Sequence, residues 1–253
     1  MRSRNIENHA TQKARIAAMR PYTTTNSCNT VQPEQARRIG PTRRSVSGRM
    51  AFRSETSIPF ESTLERDFLI RMEFCTTVLD VIPQPVTIPF TLPTGRSYRY
   101  TPDFLVYYRL GDQSYDDYPK PALVEVKPEK EWRANWRKWL PKWKAAWRFA
   151  QQQGWSFHIV DESRIRGVAL DNIRMLSRYE RMDFPCEESR LILETVQQMG
   201  CTTIDYLLAR YFMGVYRSEG ITHIRHLLAT RQLDCDITRP LDELTEMWVP
   251  NHE

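Results

Sequence analysis

The chain has 253 residues, 41% of them hydrophobic, and a net charge of +5. That length and apolar content support one large folded domain or two modest ones and exclude wholesale disorder. No apolar run of about 18 residues occurs, so no membrane-crossing helix is expected, and the first twenty residues lack the apolar stretch of a secretory leader.

Five widely spaced cysteines without a CxxC pair predict reduced thiols, neither a disulfide framework nor a zinc site, and with the points above a cytoplasmic protein. The positive charge is concentrated early. Residues 1–50 hold ten Lys and Arg against only Glu7 and Glu34, which leaves the remainder slightly acidic. Residues 1–36 read as a basic flexible arm, suited to a polyanion such as DNA or simply to solvation.

The stretch FESTLERDFLIRMEF has helical apolar spacing, and Ser62 with Glu65 three residues later makes a capping-box start. Val86, Ile88 and Phe90 then alternate as on a half-buried strand. A Pro-Thr-Gly turn at 93–95 follows, and Tyr98 to Tyr108 reads as the returning strand. ALVEVK predicts a short strand, residues 129–153 a long helix, and Trp155 to Val160 a further strand. Beyond residue 162 the pattern becomes helical: 162–180, 187–212 and a shorter helix after Gly220, with two short strands around Arg239 and Pro240. This order predicts an α/β fold with a mixed sheet flanked by helices, then a mainly helical, winged-helix-like C-terminal domain.

The chemistry centres on Pro102-Asp103 and Glu125-Val126-Lys127. Residues i and i+2 of a strand share a face, so Glu125 and Lys127 project together while Val126 turns to the core. A neighbouring strand brings Asp103 beside Glu125, and two close carboxylates repel unless a cation lies between them. Magnesium suits such hard oxygen donors. Lys127 is then placed either to orient or deprotonate an attacking water, or to stabilise charge on a phosphoryl group. Such a pattern also arises by chance on solvated strand edges, but here its charges sit within apolar sequence.

With ESTLERDFL, IPQPVTIPF, YTPDFLVYY and VEVKP in this order, the chain resembles the TnsA family, the endonuclease subunits of heteromeric transposases, from about Arg37 to Arg166 and more weakly beyond. The resemblance implies a restriction-endonuclease-like domain over residues 37–165 and a C-terminal domain for partner and DNA contacts over 166–253. It implies catalytic residues Glu65, Asp103, Glu125 and Lys127, and a magnesium or manganese site involving Glu65, Asp103, Glu125 and Val126. TnsA proteins vary at the Glu125 position, some having Gln. The implied reaction is cleavage of the 5′, non-transferred strand at double-stranded transposon ends. The implied partners are a TnsB-like DDE transposase and a TnsC-like AAA+ regulator. A free-standing restriction or repair nuclease and a noncatalytic DNA-binding adaptor are the competing readings. Gln84 and Pro85 also fit the family pattern, with a structural role expected, while Glu61 and Glu73 are expected at the surface.

Trp132, Trp136, Trp139, Trp143 and Trp147 form a helical stripe, expected as a buried seam against the sheet, with Pro141 as a kink or break. Arg133, Arg137, Lys138, Lys142, Lys144 and Arg148 are expected around it on the solvent side. His158, His223, His226 and His252 have no convincing metal-ligand spacing.

Overall fold

A computed structural model describes residues 33–36, 46–53, 55–92, 94–109 and 119–250. The first 32 residues of the basic arm, Arg37 to Arg44, Pro93, most of the polar connection before Pro121, and His252 lie outside the described residues. Two antiparallel strands, β1 (Gly48–Phe52) and β2 (Thr56–Phe60), form a hairpin that the basic composition of this stretch conceals. Helix α1 (Thr63–Phe74) begins where the capping box predicts, with the Ser62 Oγ accepting from the Glu65 N–H at 3.1 Å.

Strand β3 (Val78–Pro83) was hidden in the VLDVIP run, which lacks clean alternation because both its faces are covered. The expected hairpin follows as β4 (Ile88–Thr91) and β5 (Ser97–Tyr100). The returning strand, however, is two strands. After β5 the chain leaves the hairpin at Thr101 and Pro102 and joins a different sheet as β6 (Phe104–Tyr108). Pro102 has no N–H for a ladder, which favours a break at this point. Strand β7 (Ala122–Val126), helix α2 (Glu129–Gln152) and strand β8 (Ser156–Val160) match the expected strand, helix and strand.

The central sheet has the order β3-β6-β7-β8, antiparallel except for the β7–β8 pair, which α2 connects as a parallel crossover. Period-2 alternation divides its residues between two cores. Phe104, Val106, Ala122, Val124 and Val126 pack with Phe68 and Leu69 of α1. On the opposite face, Leu105 and Leu123 pack with Trp143, Ala146 and Ala150 of α2. Helix α2 runs through Pro141 without a break. Its tryptophan stripe is only partly a seam: Trp132, Trp139 and Trp143 belong to the core, whereas Trp136 and Trp147 are exposed. Each four-residue step advances about 40° around a helix, which carries Trp136 and Trp147 to the leading rim of the stripe. Arg137 stacks over Trp136 there, its guanidinium 4.9 Å from the ring centroid.

The C-terminal part begins with two short helices, α3 (Glu162–Ile165) and α4 (Val168–Leu176). The long helix expected over 187–212 divides into α5 (Cys186–Met199) and α6 (Ile204–Tyr211), with β9 (Thr202–Thr203) between them. Gly200 supplies the stop by adopting a φ of 76°, a region that side-chain-bearing residues avoid. Helix α7 (Arg217–Ala229) contains Gly220 instead of following it. A Cβ at Gly220 would lie 2.3 Å from the Phe212 ring, so the glycine permits a close approach and does not mark the start of the helix. Strands β10 (Asp234–Cys235) and β11 (Glu246–Trp248) are the two short strands expected around Arg239, and β11 pairs with both β10 and β9. Leu176, Ile192, Val196, Leu208, Ile224 and Leu227 anchor a third core here. His223 is buried within it, stacked 4.3 Å from Phe184, with its Nε2 2.8 Å from the Ser189 hydroxyl.

Candidate active site

The register that pairs Phe104 with Val124 sets Asp103, one residue before, opposite Glu125, one residue after. Asp103 and Leu105, like Leu123 and Glu125, therefore lie on the α2 face of the sheet. The structure brings three of the expected residues together. The Lys127 Nζ is 3.5 Å from Asp103 Oδ2 and 3.7 Å from Glu125 Oε1. The Val126 N–H donates to Asp103 Oδ2 at 2.8 Å while its side chain is buried in the α1-side core, so only its carbonyl is left to serve as a ligand.

Electrostatics follow from this crowding. Burial first, and then the Glu125 charge, push the Asp103 carboxyl up to about 8, and Lys127 offsets only part of it. Burial alone would depress the Lys127 ammonium. The carboxylates of Asp103, Glu125 and Glu65 outweigh that and hold its pKa above the usual lysine value.

Glu65 stands apart from this trio. Its Oε1 accepts from the Ser62 hydroxyl at 2.9 Å, and its Oε2 accepts from the Glu61 N–H at 2.7 Å. Its carboxylate thus reaches the Glu61 N–H, one residue before the N-cap, where a capping box would use the Ser62 N–H, and its charge is felt by both Asp103 and Lys127. Burial raises its own pKa, against the pull of the hydrogen bonds from Glu61 and Ser62. Glu73 lies away from this group and accepts from the Arg53 N–H at 3.1 Å. Gln84 is buried and adopts a φ of 45°, and its N–H donates to the Asp103 carbonyl at 2.8 Å. Its role is to pin the backbone beneath Asp103.

Two residues of the site were not singled out for it by sequence. The Tyr100 hydroxyl donates to Glu125 Oε2 at 2.6 Å. Lys142, expected on the solvent side of α2, turns inward instead, with its Nζ 2.9 Å from Glu125 Oε1. Burial and the nearby Glu125 charge hold the Tyr100 hydroxyl well above its ordinary pKa. The four-residue step from Trp139 to Trp143 passes Lys142 on a neighbouring rim of the same face, a signal that charge alone obscures. Among the described residues, no three His, Cys, Asp or Glu side chains converge closely enough to hold a metal ion by themselves.

Two family models match the chain in succession. A TnsA-like endonuclease N-terminal model matches residues 75–162, and a TnsA endonuclease C-terminal model matches residues 164–237. The chain belongs to the TnsA-like endonuclease family. The N-terminal match of this TnsA-like protein includes Asp103, Glu125, Lys127 and Lys142, and it starts after α1, so Glu65 lies outside it. The C-terminal match spans α4 to β10, the region of the third core. A comparison with curated proteins found no match. Among the described residues, no helix is long and apolar enough to cross a membrane.

Proposed function

We propose that this TnsA-like protein hydrolyses phosphodiester bonds at transposon ends in a divalent-metal-dependent reaction, with Asp103, Glu125 and Lys127 at its centre. The observation that carries this reading is the opposed carboxylate pair, held at the junction of β6 and β7 beside Lys127. The donor chemistry fits magnesium, which is held by one or two carboxylates, keeps several waters and is completed by substrate phosphates instead of needing an all-protein cage. Asp103 and Glu125 would hold the ion, with the Val126 carbonyl as a third oxygen. Bound there, the ion would supply Lewis acidity toward a phosphoryl oxygen and a nucleophile at neutral pH.

The chain's own residues do the rest. Lys127, with its pKa held up, remains a cation at neutral pH, which favours stabilising phosphoryl charge over taking a proton from water. Gln84 and the Val126 N–H fix Asp103 from behind, so its carboxylate is oriented before substrate arrives. Glu65 contributes its negative field, and each of its oxygens keeps a lone pair for a further ligand.

Family membership extends the proposal to the non-transferred 5′ strand, to a DDE transposase that handles the other strand, and to an AAA+ regulator. The order helix, strand, two helices and two strands over 186–248 supports the winged-helix-like reading. It supports a C-terminal domain, from about residue 166, that contacts partners and the DNA backbone. Asp103→Ala should abolish 5′-strand cleavage with all partners present while leaving partner binding intact. Normal cleavage by that variant would sink the assignment. Cutting by the purified chain alone would instead favour a free-standing nuclease.

A further inference from the structure

Lys142 is a cation in a place where the reaction described above does not require one. Its side chain is only 18% exposed, and its ammonium lies 2.9 Å from an oxygen of Glu125, a carboxylate that is 1% exposed. Aromatic rings surround the remaining directions: the Nζ is 4.6 Å from the Tyr100 centroid, 4.9 Å from Trp139 and 5.9 Å from Trp143. A desolvated ammonium is costly unless an anion and aromatic faces replace its water, and here both are supplied. Tyr100 both lines this cage and donates to the other oxygen of Glu125. Lys127 approaches the same Glu125 oxygen as Lys142, but from 3.7 Å. The nearest positive charge to Glu125 is therefore Lys142, held by α2.

We infer that Lys142 is the resident counter-cation of Glu125: it keeps the buried carboxylate compensated before a divalent cation loads, and it holds metal affinity in check. The inference rests on the metal-site reading given above. The physical reason is Coulombic. A buried carboxylate without a close cation destabilises the fold, and a fixed ammonium beside a metal ligand opposes an arriving dication. A tightly closed ion pair thus permits the fold to exist without metal, at the expense of weaker loading.

The test uses the full chain, with Mn2+ titrated calorimetrically and thermal unfolding followed without metal. Lys142→Met fills the cage with an apolar side chain of similar length. It should lower the metal-free Tm by several degrees and tighten the Mn2+ dissociation constant about tenfold. Lys142→Arg, which keeps the charge, should stay near wild type in both measurements. An unchanged or weakened Mn2+ affinity in Lys142→Met would overturn the inference, weakening being the mark of a residue that only positions Glu125. If Lys142→Met does not fold, the double variant Glu125→Gln with Lys142→Met should fold, because the stranded carboxylate is gone; a double variant that also fails to fold overturns the ion-pair role. Wild-type protein that binds no Mn2+, or Asp103→Asn protein that binds it like wild type, sinks the metal reading and the affinity half of the inference. The ion-pair half is then judged on the metal-free Tm values alone.

Discussion

Two buried acidic sites in this molecule are built on opposite plans. Asp67, on α1 and 2% exposed, is encircled by guanidiniums: Arg166 Nε lies 2.9 Å from Oδ2, and Arg174 and Arg66 reach Oδ1 at 2.5 and 3.5 Å. At the β6–β7 junction the proportion is reversed, with Asp103, Glu125 and the field of Glu65 sharing Lys127 and Lys142. The first arrangement leaves nothing for a ligand to neutralise and ties α1 to α3 and α4. The second leaves Asp103 with a pKa pushed up to about 8, a group that a further cation would relieve. An acid in a folded interior is structural or available for chemistry according to how many cations stand around it, more than according to how deeply it is buried.

The comparison can be broken most severely at Asp103. Asp103→Asn should reduce strand cleavage in the assembled system at least about a hundredfold with little loss of Tm, since an amide fits where a carboxyl was partly protonated. A large fall in Tm with cleavage retained would reverse the roles assigned to the two sites.

The clamp should respond in the opposite way. Replacing Arg166 and Arg174 together by Ala leaves the buried Asp67 carboxylate with Arg66 alone, at 3.5 Å, and should cost about 3 kcal/mol. Asp67→Ala leaves three guanidiniums that already reach solvent and should cost less, about 1–2 kcal/mol. Denaturant unfolding of both variants checks the order, and equal costs would mean the charge on Asp67 is not what the clamp serves.

A smaller effect sharpens the contrast through pH. Between about pH 4 and 8 the unfolded chain releases the Asp103 proton while the folded chain keeps it, so the folded state binds more protons and stability falls as pH rises. The raised Glu65 pKa acts with the same sign, while Lys127 is charged in both states across this window and adds no slope. Tm measured from pH 5 to 8 should therefore decline less steeply in Asp103→Asn than in wild type. The smallest expected change is in Glu65→Gln, about 1 kcal/mol from the weakened cap on α1. Restoration of that stability, but not of cleavage, by a stabilising substitution elsewhere would assign Glu65 a part in the reaction beyond its cap.

Local rules made much of this molecule legible. Strand alternation places Glu125 and Lys127 on one face, Ser62 and Glu65 start α1, and the order of periods gives a mixed sheet followed by helices. Such readings succeed because they depend on residues two to four apart, where backbone geometry settles the neighbours. The β1–β2 hairpin was missed because the basic residues of its stretch mask it, β3 because it has no clean alternation, and Gly220 misled because a glycine that permits close packing looks like one that stands before a helix.

What only the tertiary structure decided is which charges meet. Tyr100 reaches Glu125 across 25 residues, Lys142 across 17, and Arg166 and Arg174 reach Asp67 across 99 and 107. No local period encodes those separations, because a charged side chain reads as solvated until a packed neighbour removes its water. The sequence by itself determined the three residues at the centre of the candidate site; folding determined the partners that make one buried acid a clamp and leave the others available.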